Sequence, residues 1–264
     1  MDGVPDYLKH PLTEWLRTEF GWHRTSAQGG VDQAFLQTLA LAVRIPVRAT
    51  HGIGGISDQI TDTIKDNEQL FLDTLDATLF LRNSAAQSQR LRQILELGSS
   101  AWTVNSPGTG LVRRVERSAE ESFARAASTN ESVGTELSDA WMAAFGRSPN
   151  PSDAWDHAIK AVEELLIPLV LPKVAKPNLG GVAGQLHSAP AKWLLTPTTS
   201  STSLSDALTL EAMIRMIWPN PDRHGGTSER RMPSQEEGER VVHLAVAIVQ
   251  LCRDGGLSPQ YGMR

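Results

Sequence analysis

The chain has 264 residues, 40% hydrophobic and 21% charged, enough to bury a substantial core in two ordinary domains or one large one. Its net charge of −5 argues against a general electrostatic hold on nucleic acid, so any RNA contact is expected to be local. The single Cys252 excludes an internal disulfide and a multi-cysteine metal site, and the lack of any apolar run of roughly 18 residues or of a basic-then-apolar leader predicts a cytoplasmic protein.

Along the chain, HPLTEWLRTEF and VDQAFLQTLALAV repeat apolar residues at helical spacing. Residues 56–82 place Ile56, Ile60, Ile64, Phe71, Leu75 and Leu79 about one or two turns apart, which predicts one long helix with a single core face. SQRLRQILELG follows, with Gly98 as its stop. The period then changes in AWTVNSPGTGLVRRV, where alternating apolar positions flank Pro-Gly and Thr-Gly; a small β-hairpin is predicted near 101–115. Helical spacing returns in SAEESFARAAS and VGTELSDAWMAAFG, and the stretch RSPNPS is the best candidate boundary. The domains expected from this are 1–148, helical with the hairpin, and 149–264, a helical bundle.

In the second half, PSDAWDHAIKAVEELLIPLVL opens on Pro151 and Ser152 as a cap and sets Ala158, Val162, Leu165 and Leu169 on one face, with Pro168 and Pro172 kinking or ending it. KPNLGGVAGQL reads as a loop into a short helix, LTPTTSSTS as a polar loop, and LSDALTLEAMIRMIW as a helix ended by Pro219. SQEEGERVVHLAVAIVQLCRD is the last helix, acidic at its start and basic near its end, the polarity the helix dipole favours.

Between those last two helices lies WPNPDRHGG, which gathers Asn220, Asp222, Arg223 and His224 in one loop. An imidazole titrates near neutrality and can move a proton, while a guanidinium clamps a phosphate with a planar fork; together they suit phosphodiester chemistry. Gly225 and Gly226 let a ligand approach closely, and Pro219 and Pro221 restrict the loop. The alternative for the same residues is a satisfied turn in which His224 caps a helix or bonds a carbonyl. Other candidates have plainer readings. His157, Lys160, Glu163 and Glu164 partly share a helix face, where a glutamate could help the loop but a solvated face is the default. His51 sits in a glycine-rich connector, His10, His23 and His187 are scattered, and His243 reads as a core histidine; no metal and no cofactor are expected.

The succession AWDHAIKAVEELLIPLVLP, NLGGVAGQL, MIRMIWPNPDRHGG and EEGERVVHLAVAIVQLC, from about 151 to 254, resembles the Abi-C type of abortive-infection domain, a relative of the HEPN helical superfamily. The resemblance implies an all-α bundle of four or five helices that pairs with a second copy and cuts RNA without metal. It assigns His224 as acid or base and Asn220 as orienting the phosphate or the histidine. Pro219 stands where the family's arginine stands, so Arg215, one turn earlier, or Arg223 takes that role; otherwise the site is degenerate. Asp222, Trp218 and Gly225 are the residues assigned to substrate, Trp218 either stacking a base or, the favoured reading, packing beneath the loop. The expected protein is therefore an abortive-infection ribonuclease or RNA-binding effector, homodimeric through its C-terminal bundle, with an N-terminal region that senses, regulates or meets a regulatory protein. The alternative from another class is a non-catalytic interaction protein that keeps a degenerate bundle for dimerisation, possible in a phage or prophage setting as well.

Overall fold

The structure, a computed structural model, describes residues 3–21, 32–48, 55–197, 206–222 and 231–260. Among them are eleven α-helices and two antiparallel two-stranded ribbons, so the chain is mainly helical as its periodicity predicts. It forms two compact units, Met1–Arg114 and Val115–Arg264. The division therefore falls before the RSPNPS stretch. That stretch is a tight helix–helix turn inside the second unit, closed by the Asn150 amide donating to the Ala143 carbonyl.

The first unit holds α1 (Asp6–Glu19), α2 (Gln33–Ala42), α3 (Gly55–Ile64), α4 (Glu68–Arg82) and α5 (Ala85–Leu97). The stretch read as one helix over 56–82 is two, because Asn67 turns its side chain onto the Leu70 amide and starts α4 afresh. Their core faces still converge: Ile60, Ile64, Leu72, Leu75 and Leu79 are buried with Leu12, Trp15 and Leu36. Each such leucine contributes about 1.5–3 kcal/mol on burial. The predicted hairpin is present as β1 (Trp102–Val104) and β2 (Leu111–Arg113), with Thr103 opposite Val112. Three side chains pin it. Asp76 accepts the Leu111 amide at 2.6 Å, Arg92 donates to the carbonyls of Val104 and Asn105, and Ser88 donates to Gly108 O.

The second unit holds α6 (Arg117–Ala127), α7 (Glu131–Phe145), α8 (Pro151–Val170), α9 (Leu179–Ser188), α10 (Asp206–Ile217) and α11 (Gln235–Cys252), with α8 packed against α7, α9 and α11. Alanines 154, 158 and 161 of α8 are fully buried and let its neighbours approach closely. Its true cap is Asn150, which accepts from the amides of Ser152 and Asp153 and so displaces Ser152 from the capping role. Leu166 and Val170 complete the buried face, Leu165 and Leu169 being only half-buried, and the helix runs through Pro168 to end at Val170. A second ribbon, β3 (Trp193–Leu195) with β4 (Leu257–Pro259), joins distant parts of the unit and was not expected from the sequence. Cys252 is a packed thiol, pushed up to about 12 by burial. His243 is not a core histidine: it lies on the exposed side of α11, edge-on to Trp141 and tilted against Phe145, where partial burial lowers its pKa against the opposing pull of Glu239.

α11 begins in a capping box, Ser234 with Glu237, and Glu237 also takes a two-pronged pair from Arg231 at 2.6 and 2.7 Å. The Arg231 guanidinium, with the Ser234 amide, holds the Glu237 carboxyl down at about 2. A carboxyl depressed in the folded state stabilises above its unfolded pKa and loses that contribution as pH falls through the folded value. Glu237→Gln keeps the box but not the charge. Its melting temperature is expected below wild type at neutral pH, with the gap closing as pH drops toward 2; a gap that stays constant with pH would refute the assignment.

Candidate functional site

The loop after α10 is built onto the first turns of α8. At the end of α10, the Ile217 carbonyl is one of the acceptors a helix leaves without an internal partner, and buried Trp155 donates to it at 2.6 Å. Trp218 follows, half-buried on α9: a Cβ at Gly180 would sit 2.5 Å from its Nε1, so the indole lies directly on the α9 backbone. The Trp218–Pro219 peptide is cis.

Asn220 is the centre of the loop and is 1% exposed. Its amide donates to Asp156 Oδ1 at 2.7 Å and to the Ser152 carbonyl at 3.2 Å, and its Oδ1 accepts the Asp222 amide at 3.0 Å. Asp222 in turn accepts from the Ser152 hydroxyl at 2.7 Å. The two sides of the segment meet here, since the Arg231 amide donates to the Pro221 carbonyl at 3.4 Å. Asn220 and Asp222 are thus held on α8, and Arg231 is joined to Pro221 beside them. Arg223, His224 and Gly225 fall within that segment and lie outside the described residues. Of the expected site residues, the structure brings together Trp218, Asn220 and Asp222.

Asn220→Ala is expected to cost about 2–3 kcal/mol, because it strips a partner from the buried Ser152 carbonyl and from the half-buried Asp156 carboxylate at once. Chemical denaturation of the variant checks this; a loss under about 0.5 kcal/mol, the size of an ordinary surface change, would contradict the anchor.

Arg215 is paired within its own helix. Its Nε donates to Glu211 Oε1 from one turn along α10, and His187 Nδ1, on α9, lies 3.7 Å from the same oxygen. Nothing in the sequence pairs His187 with Glu211, because the contact depends on how α9 and α10 dock. The helix-face candidates of α8 resolve differently. His157 bonds Glu136 of α7 at 2.7 Å with Asp139 at 4.0 Å, so it ties two helices together. Glu163 accepts the Leu179 amide at 2.7 Å and thereby serves the start of α9 instead of the loop. Burial pushes its carboxyl above the ordinary range, the Leu179 amide opposing in part. Lys160 and Glu164 are exposed. His51 and His23 lie outside the described residues.

Among the described residues no group of three or more His, Cys, Asp or Glu comes close enough to hold a metal ion, and no described helix is long and apolar enough to cross a membrane. No family model, curated protein or solved structure matches this chain.

Proposed function

We propose that the segment between Asp222 and Arg231 carries a metal-independent ribonuclease site of the HEPN type, acting on RNA in the cytoplasm as an abortive-infection effector, with two copies pairing through the helical bundle. The observation that supports this reading best is buried Asn220. It ties the chain that enters the segment to α8, and on the far side the Arg231 amide bonds the Pro221 carbonyl; binding and catalytic residues concentrate on connections anchored in this way to a rigid scaffold. Asn220 then acts as a positioning residue: its amide hydrogens are both engaged within the protein, so it orients the segment and leaves the phosphate to others. Arg215 is committed to Glu211 through Nε, which leaves Arg223, beside His224, as the arginine assigned to the reacting phosphate.

The chemistry needs a base, an acid and a cation. His224 accepts the proton of the ribose 2′-hydroxyl as that oxygen bonds to phosphorus; the bond from phosphorus to the 5′-oxygen breaks, and the leaving oxygen takes a proton from the second copy's histidine. Arg223 balances the charge gathered on the phosphorane oxygens. The products are a 2′,3′-cyclic phosphate and a 5′-hydroxyl. Incubating the purified chain with mixed RNA in chelator tests this. Fragments ending in cyclic phosphate are the expected result, and intact RNA with a folded, dimeric protein would overturn it.

A second reading has its own observation. Asn220 is fully engaged in internal bonds, as a purely structural turn requires, and the chain is acidic. A non-catalytic interaction module would show self-association without cleavage in the same experiment.

A further inference from the structure

Glu211 is a buried carboxylate, its side chain 11% exposed, beneath two much more exposed basic groups, Arg215 at 55% and His187 at 68%. A carboxylate in that position requires a cation, and Arg215 supplies one. The attachment is through Nε. Among the described residues Arg215 has no hydrogen-bond acceptor other than Glu211, so its two terminal nitrogens make no hydrogen bond there. His187 stands 3.7 Å from the Glu211 oxygen, beyond hydrogen-bonding distance, and its ring keeps its donor for another acceptor.

The place of this cluster gives it a use. Gly180 meets Trp218 and His187 meets Glu211, so α9 and α10 run antiparallel, and Arg215 lies between those two contacts. From Glu211 to Trp218 the helix advances about 10 Å. The cluster therefore lies on the strip that ends where the chain enters the anchored loop. A guanidinium fixed by a carboxylate at Nε presents its two outer N–H groups in the geometry a phosphate accepts, and an imidazole beside it adds a third donor.

We infer that Arg215 and His187, gathered on Glu211, form an oxyanion subsite on the α9–α10 face that takes a phosphodiester group of the RNA strand running to the 223–230 segment. The assignment to RNA rests on the ribonuclease reading above. Glu211 cancels one positive charge, so the subsite is one weak link among several phosphate contacts. It holds the strand and plays no part in breaking the bond.

Binding of a fluorescent single-stranded RNA to the full-length chain carrying His224→Ala, which leaves the strand uncut, tests the assignment. Adding Arg215→Gln or His187→Gln is expected to weaken Kd about 3- to 10-fold and to lower the slope of log Kd against log salt by about one. Arg215→Lys, which keeps the charge but not the fork, is expected to fall between, and melting curves confirm that each variant folds. Unchanged Kd and slope in a protein that binds RNA would overturn the subsite while leaving the ribonuclease reading intact. If the chain neither binds nor cuts RNA, the ribonuclease reading and the RNA assignment fail together. Titration with inorganic phosphate, followed by NMR of the His187 ring, then decides the oxyanion site itself. A shift in wild type that is lost in Arg215→Gln keeps it, and no shift in wild type overturns it.

Discussion

His224→Ala is expected to lower RNA cleavage by roughly 10²- to 10⁴-fold, the range that a positioned acid or base contributes, while stability stays within about 0.5 kcal/mol of wild type. The two halves of that expectation have separate causes. Cleavage needs a group that exchanges a proton near neutral pH, and alanine has none. Stability at this loop comes from Asn220, Asp222 and the Arg231 amide, which close the segment from its ends and are untouched by the substitution. Asn220→Ala makes the contrast: it removes the anchor, so stability and cleavage are expected to fall together. Equal cleavage by wild type and His224→Ala would remove the histidine from the mechanism, and a large stability loss in His224→Ala would make it a structural residue. Parallel turnover assays and denaturation curves on the three proteins separate these outcomes.

The helices were legible because apolar residues recur at 3.6-residue spacing wherever one face is buried, and the hairpin was legible because its two short apolar strands flank a turn rich in Gly and Pro. The same signal hid the break between α3 and α4. Ile64 and Phe71 are seven residues apart, nearly two whole turns, so a helix that stops after Ile64 and restarts at Glu68 keeps its core face in phase. Periodicity reports which face is buried and is blind to a short interruption that preserves the phase. The β3–β4 ribbon was illegible for another reason: each strand has three residues, too few for any period, and the pairing of Leu194 with Ser258 joins segments remote in sequence.

At the loop, residue types did not reveal the bonds these residues make. Asn220 and Asp222 stood out as polar groups beside a histidine, yet their bonds are to Ser152 and Asp156 on α8, and only docking of α10 onto α8 creates them. Ser152 was expected as a cap; one residue pair earlier, Asn150 reaches the free amides better, and the serine hydroxyl is left to hold Asp222. His187 and Glu211 carry no shared motif, so their meeting is a property of the α9–α10 packing alone.

Trp155→Ala is expected to destabilise the second unit by about 3–5 kcal/mol, the largest single-site loss anticipated outside the first unit. Two contributions add. The indole is 7% exposed, so truncation leaves a cavity beside α8. Its Nε1 also satisfies the Ile217 carbonyl at 2.6 Å, which then faces a low-dielectric interior without a donor. Trp155→Phe separates the two: it retains most of the ring and loses only the donor, for about 1–2 kcal/mol. That smaller change acts at the residue where α10 hands the chain to Trp218 and the Asn220 anchor. Measured well below its melting temperature, Trp155→Phe is therefore expected to lose more cleavage activity than its folded fraction explains. If activity instead tracks the folded fraction, the end of α10 does not set the position of the loop, and Asn220 holds it alone.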